Sequence, residues 1–191
     1  LISSLLVLFY YFINISIVYL YNIVYNITME YLDSNYIEQF VNLEALLKQQ
    51  VDTQCNDDFL SFVRLMAPSI VSDFRMGRHI EVISDKLQQV QDGKIKRLMV
   101  FLPPRSSKSV VCSKLFPAWY LGRNPEHEIL SISHSDQLAS DFGRSVRDIV
   151  NTEEYQKVFR GVSLRSDVRA AGKWKTNHNG TYYAAGVRSQ I

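Results

Sequence analysis

The run RLMVFL (97–102), followed at once by PPRSSKS (103–109), constrains this chain more than any other stretch. A near-continuous apolar run of that length predicts a strand buried on both faces, as at the centre of a parallel sheet. The period then changes, and SVVCSKLFPAWYL (109–121) reads as a helix broken by Pro117. GRNPE (122–126) has turn chemistry, and EILSIS (128–133) reads as a second apolar strand. SDQLASDFGRSVRDIV (135–150) predicts a helix capped by Ser135 or Asp136, with Leu138, Phe142, Val146 and Ile149 on one face. Strand, loop, helix, strand, helix is the alternation of an α/β domain with a parallel sheet and right-handed crossovers. Beyond Asn151 the chain is rich in turns. GKWKT and TYYAAGV flank NHNG (177–180), which predicts a hairpin because Asn-Gly suits a tight turn.

Ahead of this lies a helical region, 29–96. Ile37, Phe40, Val41, Leu43 and Leu47 fall at helical spacing over about 36–50, with charges opposite them, and predict a surface helix. A second helix starts near Asn56 or Asp57, carries Phe59, Phe62, Val63 and Met66, and is expected to stop at Pro68. A third spans 78–91, with Ile80, Ile83, Leu87 and Val90 on one side, and the Asp-Gly pair at 92–93 ends it. His79, at its start, reads either as a solvated residue or as one wall of a base pocket.

The first 28 residues contain no charged side chain. They exceed the length of about 20 apolar residues that a bilayer requires. Against a membrane span, no Lys or Arg flanks the segment, and no basic region or small-residue cleavage site marks it as a secretory signal. Three readings stand: upstream DNA translated in frame, with Met29 as the natural start; a membrane segment; or a buried hairpin. A membrane partner is not expected, and cytoplasmic chemistry is.

Composition excludes little else. With 47% hydrophobic and 21% charged residues, the 191-residue chain can bury a core. Its 21 Lys and Arg against 19 Asp and Glu leave a net charge of +2, so any nucleic-acid surface must be local. Cys55 and Cys112 lie outside Cys-x-x-Cys spacing and predict buried free thiols; His79, His127, His134 and His178 form no metal-ligand spacing.

The stretch 102–109 has the Lys-Ser ending of a phosphate loop, in which main-chain N–H groups at a helix start hold the phosphates, a Lys reaches them and a hydroxyl binds Mg²⁺. Lys108 and Ser109 stand in those positions. Leu102 and Ser107 stand where the pattern has glycines, and a Ser held in a glycine geometry costs about 1–3 kcal/mol. From these residues alone, a nucleotide site and an ordinary strand-to-helix turn both remain open.

The blocks RLMVFLPPRSSKS, FPAWYLGRNPEHEILSISHSDQLASDFGRSVRDIV and WKTNHNGTYYAAGV, in this order over about 59–186, resemble the N-terminal ATPase part of the large terminase subunits of tailed bacteriophages. That family runs a strand into Pro-Pro-Arg-x-Gly-Lys-Ser. The resemblance implies a P-loop NTPase-like α/β fold over 97–191 with an incomplete parallel sheet, and an ATP-driven motor that packages double-stranded viral DNA. It also implies ATP and Mg²⁺ as cofactors, a small terminase subunit, a portal protein and a homo-oligomeric ring as partners, and the host cytoplasm as the compartment. Pro104, Arg105, Ser106, Ser107, Lys108 and Ser109 then line the nucleotide, with Ser109 on the metal and Arg105 acting on the γ-phosphate; Pro103 and Pro104 stiffen the approach. Ser107 departs from the family's glycine, and the sequence ends at Ile191 before the acidic strand that the family uses for Mg²⁺ and water. The expected result is a nucleotide-binding fragment, inactive alone; the alternative is a non-catalytic relic or interaction module. The motor reading requires 97–102 to lie in a sheet and Lys108 to face an open cleft.

Arg144, Arg147, Arg160, Arg165 and Arg169 read as a solvated face or a DNA-phosphate contact, and Trp119, Tyr120, Trp174, Tyr182 and Tyr183 as core or base-stacking residues. SHSD (133–136) contains a nucleophile, a base and an acid, but adjacent positions cannot form a triad.

Overall fold

The computed structural model of the chain describes residues 34–187; the three readings of 1–28 lie outside them. Two compact units divide at Lys48/Gln49. Helix α1 (Ser34–Asp57) runs past that division, and in the first unit its Phe40, Val41, Leu43, Leu46 and Leu47 are exposed. No described helix is long and apolar enough to cross a membrane.

The second unit is a mixed α/β assembly. Helix α2 (Phe59–Ile70) is capped by Asp58, whose carboxylate accepts from Ser61 N–H at 2.7 Å, one residue later than expected. Pro68 does not stop it. The proline lies in the last turn, so its missing N–H removes a bond only where the helix is already ending, and Val71 N–H still closes onto Ala67 O. Helix α3 (Arg78–Gln91) has the expected bounds, with Asp92 as its C-cap and Gly93 at φ 73° beyond it. Phe59, Phe62, Val63 and Met66 of α2 and Ile80, Ile83 and Leu87 of α3 enter one core.

The helix after the serine-rich loop is wider than the sequence suggests. Val110–Leu115 forms a π-helical turn, and α4 (Phe116–Arg123) continues from it through Pro117. Phe116 N–H reaches back five residues to Val111 O, and this wider turn precedes Pro117, which has no N–H to give to the helix. Trp119 is fully buried; its Nε1–H donates to Cys55 O at 3.0 Å, and its ring meets Phe59 at 5.2 Å between centroids. Tyr155 O–H, from α6 (Glu153–Val158), donates to Ala118 O at 2.9 Å.

Strand β1 (Glu128–Ser133) and helix α5 (Asp136–Val150), capped by Ser135, occur as predicted. The buried face of α5 is Ala139, Gly143, Val146, Ile149 and Val150, while Leu138 is exposed. Strands β2 (Leu164–Ala170), β3 (Lys173–Thr176) and β4 (Thr181–Gly186) complete a four-stranded sheet in the order β1-β4-β3-β2. The predicted hairpin is β3–β4, with Asn179 at φ 69° in its turn. Gly180 N–H donates to Pro125 O at 3.0 Å, so the turn is tied to the loop before β1.

Two expectations about the sheet are corrected. The sheet is mixed: β1 and β4 are parallel, from Glu128↔Thr181 to Ser133↔Gly186, but β4–β3 and β3–β2 are antiparallel. Nor is 97–102 a strand of it. Its side chains alternate with period two, Leu98, Val100 and Leu102 against the core and Met99 and Phe101 78% and 80% exposed, yet none of its main-chain groups bonds to another described residue. Apolar alternation supplies a face for packing, whereas a strand also needs a neighbour for its ladder.

Candidate phosphate-binding loop

Residues 103–109 join the 97–102 run to the helical segment that begins at Lys108. Two non-glycine residues in the loop are left-handed, Arg105 at φ 64° and Ser107 at φ 58°. Ser107 therefore holds the geometry that its spacing from Lys108 predicts; Arg105 carries no such signal in the sequence. Ser106 O–H donates to Pro103 O at 2.7 Å and closes the turn from within. Ser107 O accepts from Val111 N–H at 3.1 Å, which anchors the helix start. The N–H groups of 105–110 donate to no acceptor among the described residues. A helix start leaves such donors for an anion or for water.

Lys108 and Ser109 line an open cleft of about 390 Å³, together with Lys96, Cys112 and Ser113 and an apolar wall of Leu87, Val90, Leu98 and Val100. Burial pushes the Cys112 thiol up, and the positive charge of Lys108 opposes that shift. The lining contains two ammonium groups, three further polar side chains and no carboxylate, a composition that suits an anion. For Mg²⁺ it offers only the Ser109 and Ser113 hydroxyls, and no group of three His, Cys, Asp or Glu stands together among the described residues. Mg²⁺ accepts few protein ligands when phosphate oxygens and waters complete its octahedron. The loop thus fits the metal only as a companion of a bound phosphate. Pro104 and Arg105 are exposed, and neither lines this cleft.

His79 stands elsewhere. It lines a second groove, of about 460 Å³, between the first half of α3 and residues 98–102. The arginine cluster divides: Arg144 pairs with Asp141 at 3.3 Å, Arg147 with Asp148 at 3.0 Å, and Arg165 with Asp167, so these charges are shared with neighbouring acids. The side chain of Arg169 lies outside the described residues. Trp119, Trp174 and Tyr182 are buried, and Trp174 stacks on Tyr182 at 5.1 Å instead of facing a base. In the 133–136 stretch, Ser135 caps α5 and the Asp136 carboxylate accepts from Gly186 N–H at 2.7 Å. Comparison with protein-family models, curated proteins and solved structures finds no match.

Proposed function

We propose that the chain binds the phosphates of ATP, with Mg²⁺, through residues 103–109; its resemblance to the large terminase ATPase is a likeness of sequence, since the sheet position of 97–102 that a packaging motor requires is not met. The observation that carries the phosphate site is the meeting of Lys108, Ser109 and the unbonded N–H groups of 105–110 at a helix start beside an open cleft. In this reading Lys108 neutralises the β and γ phosphates, Ser109 gives Mg²⁺ its protein oxygen, and Ser106 and Ser107 add main-chain donors. Arg105 acts on the γ-phosphate if the loop closes over it. The DNA, small-subunit, portal and ring partners, and the host cytoplasm, rest on the sequence resemblance alone. Of the two structural requirements of the motor reading, the open cleft at Lys108 is met and a sheet containing 97–102 is not. The motor interpretation therefore fails on its own condition, and no turnover is proposed for this chain.

That second requirement favours the alternative specifically. A non-catalytic interaction module has no use for a complete nucleotide sheet, and it tolerates the strain at Ser107. Titration of a fluorescent ATP analogue with Mg²⁺ separates the two. Saturable binding that falls at least about ten-fold in Lys108→Ala supports the phosphate site. Equal and negligible binding by both proteins sinks it and leaves the interaction module.

A further inference from the structure

The cleft at Lys108 and Ser109 has an apolar side that phosphates do not use. We propose that this side is a nucleoside subsite: the base of the nucleotide whose phosphates Lys108 holds lies on Leu87, Val90, Leu98 and Val100, and Lys96 donates to its edge. The inference rests on the phosphate reading of residues 103–109 and adds the other half of the ligand to it.

Three described segments enclose the space. Leu87 and Val90 come from the second half of α3, Leu98 and Val100 from the run beside it, and Cys112 and Ser113 from the π-helical turn. Lys96, Leu98 and Val100 share one face by the period of two, and Met99, on the opposite face, does not line the cleft. A strand laid alongside 97–102 bonds in the plane of the backbone, so pairing there leaves this side-chain face as it is. Leu87 is buried, but Val90, Leu98 and Val100 are half-buried and keep apolar surface for a flat ring to cover. A phosphate laid on them exchanges water for groups that donate nothing, whereas a heterocycle buries its face and keeps its polar edge for donors. The volume of about 390 Å³ lies within the range of about 300–1,000 Å³ of small-molecule pockets. Lys96 and Lys108 have no ion pair among the described residues, and no carboxylate lines the cleft. Lys108 is taken by the phosphates. Lys96, which offers donors only, is left for a ring nitrogen or a carbonyl oxygen of the base, and the Ser113 hydroxyl can give or take a bond from the opposite wall.

The test compares ATP with inorganic tripolyphosphate, which carries the same phosphate chain and no base, by calorimetry on the full chain with Mg²⁺. ATP is expected to bind at least about ten-fold more tightly. Val90→Ser and the exposed Lys96→Ala should each weaken ATP at least about five-fold more than they weaken tripolyphosphate, whereas Lys108→Ala should weaken both ligands. The methyl proton signals of Leu87, Val90, Leu98 and Val100 should move by ring-current shifts with ATP and stay in place with tripolyphosphate. Equal affinity for the two ligands, or methyl signals that ATP does not move, would overturn the subsite and leave the phosphate loop standing. Lys96→Ala weakening both ligands alike would also overturn it, by giving the far end of the cleft to a longer phosphate chain. Binding of neither ligand would overturn the phosphate reading itself, and the subsite with it.

Discussion

At Ser107 the backbone adopts φ 58°, and the hydroxymethyl group is the part that resists it. A left-handed non-glycine residue costs about 1–2 kcal/mol, and a glycine there gives back about 0.5–1 kcal/mol through the freedom it adds to the unfolded chain. Ser107→Gly is thus expected to stabilise the fold by about 0.5–1 kcal/mol in urea denaturation and to tighten binding of the ATP analogue; a loss of stability would show that the Ser side chain holds the loop. This much was legible from spacing, because the residue before Lys108 is where a phosphate loop wants glycine. Arg105 at φ 64° was not legible, since nothing in PPRSSKS marks the second turn. Cys55 carries a different residue-scale prediction. Burial, followed by the nearby charges of Asp52 and Asp58, pushes its thiol from 9.0 up to about 12. The folded state favours the neutral thiol, so its contribution is complete below pH 9.0 and is lost as pH rises through about 12. Urea curves across that window should show a shallower alkaline decline in Cys55→Ala than in the wild type, each measured against its own stability at neutral pH.

Between elements, α5 comes close to the turn that joins β2 and β3. A Cβ on Gly143 would collide with the main-chain oxygen of Ala171, and Gly143 O itself accepts from Trp174 Nε1–H at 3.1 Å. Backbone cannot step aside as a flexible side chain can, so Gly143→Ala should cost about 1–3 kcal/mol in urea or thermal unfolding and should disturb Trp174 fluorescence. A neutral result would mean that α5 can slide on the sheet. Locally encoded elements were readable: α3 from its apolar spacing and Asp-Gly stop, β1 from its run, and β3–β4 from Asn-Gly. Elements that depend on distant partners were not. The Val110–Leu115 π turn answers a proline two residues after it, and β2 hides in LRSDVRA, whose charges read as a cationic face until β3 is beside it. The parallel sheet expected from the strand and helix order failed for a related reason: order along the chain sets crossovers, but the β2–β3 and β3–β4 pairings are settled by short turns.

Across the whole described molecule, stability is distributed unevenly, and the boundary runs through the candidate site. On one side, Phe59, Phe62, Trp119, Tyr155 and Phe159 form a buried aromatic cluster joining α2, α4 and α6. On the other, 97–106 leans on that core through Leu98, Val100 and Leu102, and none of its N–H groups has an acceptor among the described residues. Amide exchange opens locally where backbone bonds are few and globally where they are shared with the core. Hydrogen exchange of the unliganded chain should therefore find 97–106 at nearly unprotected rates, while the amides of β4, central in the sheet, exchange only with global unfolding. Addition of the ATP analogue with Mg²⁺ should slow 105–110 and leave 98–102 fast, since a phosphate uses the helix-start donors and not the ladder groups. Protection of 98–102 in the free chain would mean that this run already has a strand partner, and the core would then extend to the edge that the phosphate loop stands on.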